Sequence, residues 1–69
     1  IIKVILPEGV EVIGDNAFEN CTNLEEVICP KSLKKIGAEA FADCIKLHKV
    51  EFGPDVMVDA SAFKGCYNI

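Results

Sequence analysis

No arginine occurs in this chain, and its seven lysines are scattered among eleven acidic residues, leaving a formal net charge of −4. Nucleic acid and anionic membrane surfaces both demand clustered cationic side chains, so neither is expected as a main partner. Long apolar runs are missing as well. The longest, Ile1 to Leu6, is interrupted by Lys3 and falls far short of the ~20 residues of a transmembrane helix, so membrane insertion is not expected. No signal peptide is visible, and because the chain opens on Ile1 rather than Met that says nothing about export. The four cysteines, Cys21, Cys29, Cys44 and Cys66, contain no Cys-x-x-Cys pair and His48 is the single histidine, so the ordinary zinc signature is missing. Ser32 and Ser61 sit at unrelated positions relative to His48, which leaves no nucleophile beside a base. No glycine loop of the phosphate-binding kind occurs. These absences argue against an enzyme and against any bound cofactor or metal.

What the chain does have is a repeat. Phe18, Phe41 and Phe63 stand 23 and 22 residues apart, each preceded by Ala17, Ala40 or Ala62 and followed three residues later by Cys21, Cys44 or Cys66. Other columns run in step: Ile1, Leu24, Leu47 and Ile69; Val4, Val27 and Val50; Leu6, Cys29 and Phe52; Pro7, Pro30 and Pro54; Val10 and Leu33; Ile13-Gly14 and Ile36-Gly37. A block recurring at this period signals a solenoid, because one unit cannot bury its own apolar face and must stack on a copy. The units run about 1–23, 24–46 and 47–68, and residues 1–69 read as a single segment of a longer array. In the third copy the interval from Pro54 to Phe63 is two residues shorter and Asp59-Ala60 stands where an Ile-Gly pair is expected, so a local distortion is predicted there. At 69 residues a three-repeat segment is marginal by itself. An apolar content of 51% nevertheless excludes disorder as the default.

Each unit opens on a run such as Leu24-Glu25-Glu26-Val27-Ile28-Cys29, in which Val27 and Cys29 point one way and Ile28 the other. This is a short strand. Pro30 ends it, having no amide proton for a ladder. Val10 to Ile13 and Leu33 to Ile36 form a second extended stretch, after which Gly14 and Gly37 are expected to permit a sharp turn. Asp15 to Asn20 and its copies read as one short helical turn, with Asn16 and Glu19 in a weak capping-box arrangement. The residue before each repeat cysteine, Asn20, Asp43 or Gly65, is of a type that tolerates the left-handed conformation closing such a turn.

The ordered set Pro30, Ile36-Gly37, Ala40-Phe41 and Cys44, followed by Leu47, resembles the BspA-type leucine-rich repeat. That unit of about 23 residues carries Pro, Ile-Gly-x-x-Ala-Phe-x-x-Cys and then Leu-x-x-Ile. The resemblance covers essentially the whole chain. It implies an α/β repeat fold: a right-handed, curved leucine-rich-repeat solenoid with short parallel β-strands on the concave face and short helical turns opposite. It also implies a surface or secreted location and adhesion to host matrix or plasma proteins.

The cysteines of the repeat column read as small buried core side chains, a disulfide between neighbouring columns being the lesser reading. Cys29 holds the inward site of Leu6 and Phe52 and reads as core too. The three phenylalanines read as a stacked core column rather than a binding stripe, each ring pair adding about 0.5–1.5 kcal/mol beyond burial. Function, if carried here, belongs on the outward side of the strand ladder. Its rows are Lys3, Glu26 and Lys49, whose alternating charges are expected to pair across strands, then Ile5, Ile28 and Glu51, with Ile2, Glu25 and His48 at the margin. Ile5 and Ile28 are the pair that could seed a patch for a protein partner, although β-branched residues also suit exposed strands for their own sake. His48 offers a pH-sensitive group on the same face. The expected function is a non-enzymatic protein-binding module of a surface or secreted protein. The alternative is a purely structural spacer, and a targeting scaffold attached to an enzyme elsewhere in the parent chain is a third reading. End-to-end self-association through apolar end repeats is also expected.

Overall fold

Six short strands, set in two alternating series, carry the repeat, as a computed structural model of residues 2–69 shows; Ile1 and its place in the Leu24 column lie outside the described residues. Strands β1 (Ile2–Ile5), β3 (Leu24–Ile28) and β5 (Lys49–Glu51) form one parallel sheet in the order β1-β3-β5. Strands β2 (Val12–Ile13), β4 (Lys35–Ile36) and β6 (Met57–Val58) form a second, in the order β2-β4-β6. Every repeat therefore gives one strand to each sheet. Equivalent positions lie side by side: Val4, Val27 and Val50 in the first sheet, Ile13, Ile36 and Val58 in the second. β-branched residues fill these columns because their branched side chains suit a pleated surface. Two amides just past the strand ends, those of Leu6 and Cys29, continue the first ladder by donating to the carbonyls of Ile28 and Glu51. Pro7 and Pro30, which follow them, cannot donate, and the ladder stops there.

The registry corrects the alignment of the third repeat. Val58, not Asp59, pairs with Ile36, so the Ile-Gly column continues as Val58-Asp59 rather than as Asp59-Ala60. The shortening is taken up before β6, in the stretch from Gly53 to Val56, and Phe63 still falls on the ring column. Gly14 and Gly37 are also not there for a special turn, since the positive-φ glycines are Gly9 and Gly65. What Gly37 provides is room: a Cβ on it would collide with the carboxylate and backbone amide of Asp15 in the repeat before. That carboxylate accepts a hydrogen bond from the Ala38 amide at 2.8 Å, so close approach of backbones is what glycine secures.

The expected helical turns are absent: no helix occurs among the described residues. Alternate amides serve different partners instead. Those of Ala17, Glu19 and Cys21 donate to carbonyls three residues back, whereas those of Asn16, Phe18 and Asn20 donate to Ala38, Ala40 and Ala42 of the next repeat, at 3.0, 2.7 and 2.8 Å. The second repeat repeats the scheme, with Phe41 donating to Ala62 and Asp43 to Lys64. A helix would direct every amide along its own chain, and this segment spends half of them on its neighbour. The backbone manages it by entering the left-handed region at Asn16, Asn20, Glu39, Asp43 and Gly65, with φ of 61°, 63°, 55°, 61° and 79°. The expectation for Asn20, Asp43 and Gly65 is thus met, although the turn they close is not helical. Asn16 makes a side-chain hydrogen bond to Glu19 at 2.9 Å with no helix to cap.

The core runs through the middle of both ladders. Ile13, Leu24, Val27, Leu33, Ile36, Ala40, Phe41, Cys44, Leu47 and Ala62 form one buried cluster, drawn mostly from the second repeat because both neighbours cover it. No buried side-chain nitrogen or oxygen lacks a partner among the described residues. Glu39 is the odd member of the left-handed set, since a long side chain gains nothing there to offset the clash of Cβ with its carbonyl. Its column mates are Asn16 and Ser61. Glu39→Asn should therefore raise stability by about 0.5–1 kcal/mol in a denaturant titration, and a lower midpoint would show that Glu39 is held by something other than backbone geometry.

Candidate protein-binding face on the first sheet

Strand alternation decides which side chains of β1, β3 and β5 reach solvent. Val27 is fully buried and Val4 and Val50 are partly buried, so their strand neighbours must point away from the core. Two outward rows result, in the register expected: Lys3, Glu26 and Lys49, then Ile5, Ile28 and Glu51. Ile5 is 67% exposed, and Ile28 beside it is half-buried. Ile2 is also exposed, at a point where the pairing of β1 with β3 shifts register. His48 stands at the margin next to Glu25, whose carbonyl accepts the His48 amide at 3.0 Å.

The charges on this face pair differently from expectation. Lys3, Glu26 and Lys49 do line up, but the Lys49 ammonium bonds Glu51 on its own strand at 3.0 Å, two residues along and on the same side. Hydrogen bonding to Glu51, with the attraction of its charge, raises the Lys49 pKa. Glu26 instead approaches His48, Oε2 to Nε2, at 3.8 Å, and the other ring nitrogen of His48 lies 3.2 Å from the Lys46 carbonyl. A pair two residues apart on one strand needs no neighbouring repeat to form, which is why Lys49 prefers Glu51. The outcome is a face whose charges are largely matched in place around an aliphatic pair, Ile5 and Ile28.

Some apolar exposure escaped the sequence reading. On the second sheet Val12, Lys35 and Met57 form an outward row in which Val12 is 56% and Met57 74% exposed. The alternation of Val10-Glu11-Val12-Ile13 carried that signal, since Ile13 must be inward. Phe52, assigned to the inward row of Leu6 and Cys29, is exposed, because β5 is an edge strand and the extra Gly53 follows it. A cleft of about 420 Å³ opens beside β1, with an apolar floor that includes Ile2, Val4, Phe18 and Leu24.

The inner columns are structural. Phe41 is fully buried between Phe18 and Phe63, with centroids 5.2 and 5.4 Å away and ring planes within 4° of parallel. All four cysteines are free. The Cys44 thiol donates to the Phe18 carbonyl at 3.1 Å and the Cys66 thiol to the Phe41 carbonyl at 2.9 Å, so each cysteine ties its repeat to the one before. Burial pushes the Cys44 thiol up to about 11 and raises those of Cys29 and Cys66. No group of three or more His, Cys, Asp or Glu able to hold a metal occurs among the described residues, and no helix is long and apolar enough to cross a membrane.

The whole chain, residues 1–69, matches the family described as "BspA type Leucine rich repeat region (6 copies)". The chain belongs to this family. Among solved structures it is similar to a leucine-rich-repeat protein of T. pallidum, with 32% sequence identity and a TM-score of 0.90 over 99% of this chain. The match spans only 35% of the T. pallidum chain, about a third of its length. A search of curated proteins finds no match. BspA-type repeats are generally non-enzymatic protein-interaction modules, typically of surface or secreted proteins.

In this BspA-type repeat segment Cys44 and Cys66 act as thiol tethers between repeats, and Cys44 is the fully buried one. Treating the folded chain with a thiol reagent at pH 8 should label Cys44 last of the four, as read by peptide mass spectrometry. Early labelling of Cys44 would mean that the stack opens locally. The raised thiol pKa has a second consequence. Stability it confers is complete below the ordinary thiol pKa of 9.0 and is lost as pH climbs towards about 11, where only the unfolded chain ionises freely.

Proposed function

We propose that residues 1–69 are a non-enzymatic protein-binding segment of a surface or secreted protein, engaging a protein partner through the outward face of β1, β3 and β5. The observation that carries this reading is the pairing of Ile5 and Ile28 in register on an otherwise charged face, with Ile5 67% exposed. Adjacent aliphatic side chains, one exposed and one half-buried, with charge around them are the make-up of an interaction patch, in which a few central apolar residues carry most of the energy. Lys3, Glu26, Lys49, Glu51, Ile2 and His48 form the surround. The family supports the same class, and it supports the architecture in which that face functions: a right-handed curved solenoid with the first sheet on its concave side. Host matrix or plasma proteins are the partner class we propose to test.

Surface binding to a panel of immobilised matrix and plasma proteins tests the reading. Saturable binding is expected, weakened about thirty-fold or more in the Ile5→Lys/Ile28→Lys double variant while its circular dichroism is unchanged. Unchanged affinity in a folded double variant would remove this face from the account. Absence of any binding by the folded parent would leave a structural spacer as the better description.

A further inference from the structure

Of the four asparagines, Asn16, Asn20, Asn23 and Asn68, only Asn20 is followed at the second position by serine or threonine, in the triplet Asn20-Cys21-Thr22. Asn-x-Ser/Thr with any middle residue but proline is the acceptor triplet for N-linked glycans. We infer that Asn20 is such an acceptor, an inference that rests on the proposed surface or secreted location.

The structure supports it on three counts. Asn20 and Thr22 are both exposed, whereas Cys21 between them is only partly so. No hydrogen bond engages the side chain of Asn20 among the described residues, while its backbone is fixed: its amide donates to Ala42 at 2.8 Å, and its carbonyl accepts the Thr22 amide at 2.8 Å. The side chain is thus free on a rigid mount. The third count comes from the repeat itself. Asp43, the counterpart of Asn20 in the second repeat, remains exposed with a repeat packed on either side of it. The Asp43 side chain leans over Gly65 of the next repeat, yet it keeps its solvent exposure, so this column stays reachable from outside even inside the stack.

The reaction is a group transfer whose co-reactant is a lipid-diphosphate-linked oligosaccharide. The Asn20 amide nitrogen, Nδ2, attacks the anomeric carbon of the first sugar. The new nitrogen–carbon bond forms as the bond from that carbon to the phosphate oxygen breaks, the lipid diphosphate leaves with the bonding pair, and one Nδ2 proton passes to a base of the transferase. Threonine at Thr22 supplies the hydroxyl that the triplet requires. Asn20 lies on the turn segment, off the strands that carry Ile5 and Ile28, and shares its cleft with Ile2 and Val4 at the margin of that face.

The test is to secrete the chain from a eukaryotic cell behind a cleavable signal peptide and to read its intact mass before and after treatment with a glycan-releasing amidase. The expected result is a gain of one oligosaccharide, lost on treatment with conversion of Asn20 to an aspartate. The gain should be retained in Thr22→Ser and absent from both Thr22→Val and Asn20→Gly, the latter keeping a residue suited to φ of 63°. Unmodified Asn20 in the secreted, folded parent chain would overturn the inference, and so would a glycan that persists in Thr22→Val. The outcome is separable from the binding reading. A glycosylated chain that binds no matrix or plasma protein sinks the binding face alone, whereas a binding chain with bare Asn20 sinks the acceptor alone.

Discussion

The contact on which the rest of this molecule depends is the stacking of one repeat on the next around Phe41. The ring is fully buried because Phe18 and Phe63 lie parallel to it on either side, and neither of them is fully covered itself. A single repeat of this size has no interior. Its strands are two to five residues long and its turn segment sends half its amides outwards, so each unit is both unsatisfied and exposed until a copy lies against it. Aromatic stacking, thiol-to-carbonyl bonds from Cys44 and Cys66, and the cross-repeat amide pairs all span the same junctions. Cooperation between repeats is therefore built into the backbone and does not depend on apolar burial alone.

That constraint also explains where function has room. The ring and thiol columns keep their identity from copy to copy, phenylalanine where rings must meet and cysteine where a small donor must reach a carbonyl, whereas the left-handed positions keep only a backbone demand, met by Asn20, Asp43 and Gly65. Columns that face outward change freely from copy to copy, as Lys3, Glu26 and Lys49 do, and as Ile5, Ile28 and Glu51 do. A binding face assembled from such columns can be altered one residue at a time with no cost to the scaffold, which suits a repeat family of interaction modules.

Much of the fold was legible because repeats offer internal comparison: a column such as Val4, Val27 and Val50 identifies a strand position three times over. The left-handed positions at Asn20, Asp43 and Gly65 could be read because three different residue types share one backbone tolerance. The turn segment was misread for a physical reason. Residues 15–20 have the length and composition of a helical turn, and nothing local reveals that alternate amides are claimed by another repeat. Gly37 misled likewise, since a glycine needed for close approach looks the same in sequence as one needed for its φ. On the candidate face the outward rows were readable from alternation. The ion pairs were not, because the choice of Lys49 between Glu26 across the ladder and Glu51 along it is a matter of side-chain reach.

Native-state amide hydrogen exchange tests the central claim most directly. If stacking across repeats holds the molecule together, the amides of Phe41 and Asp43, which donate to Ala62 and Lys64, should exchange only through global unfolding, with the same opening free energy as the amides of β3. Exchange of Phe41 and Asp43 through a smaller opening, while β3 stays protected, would show that the sheets stand without the turn ladder and would contradict the account.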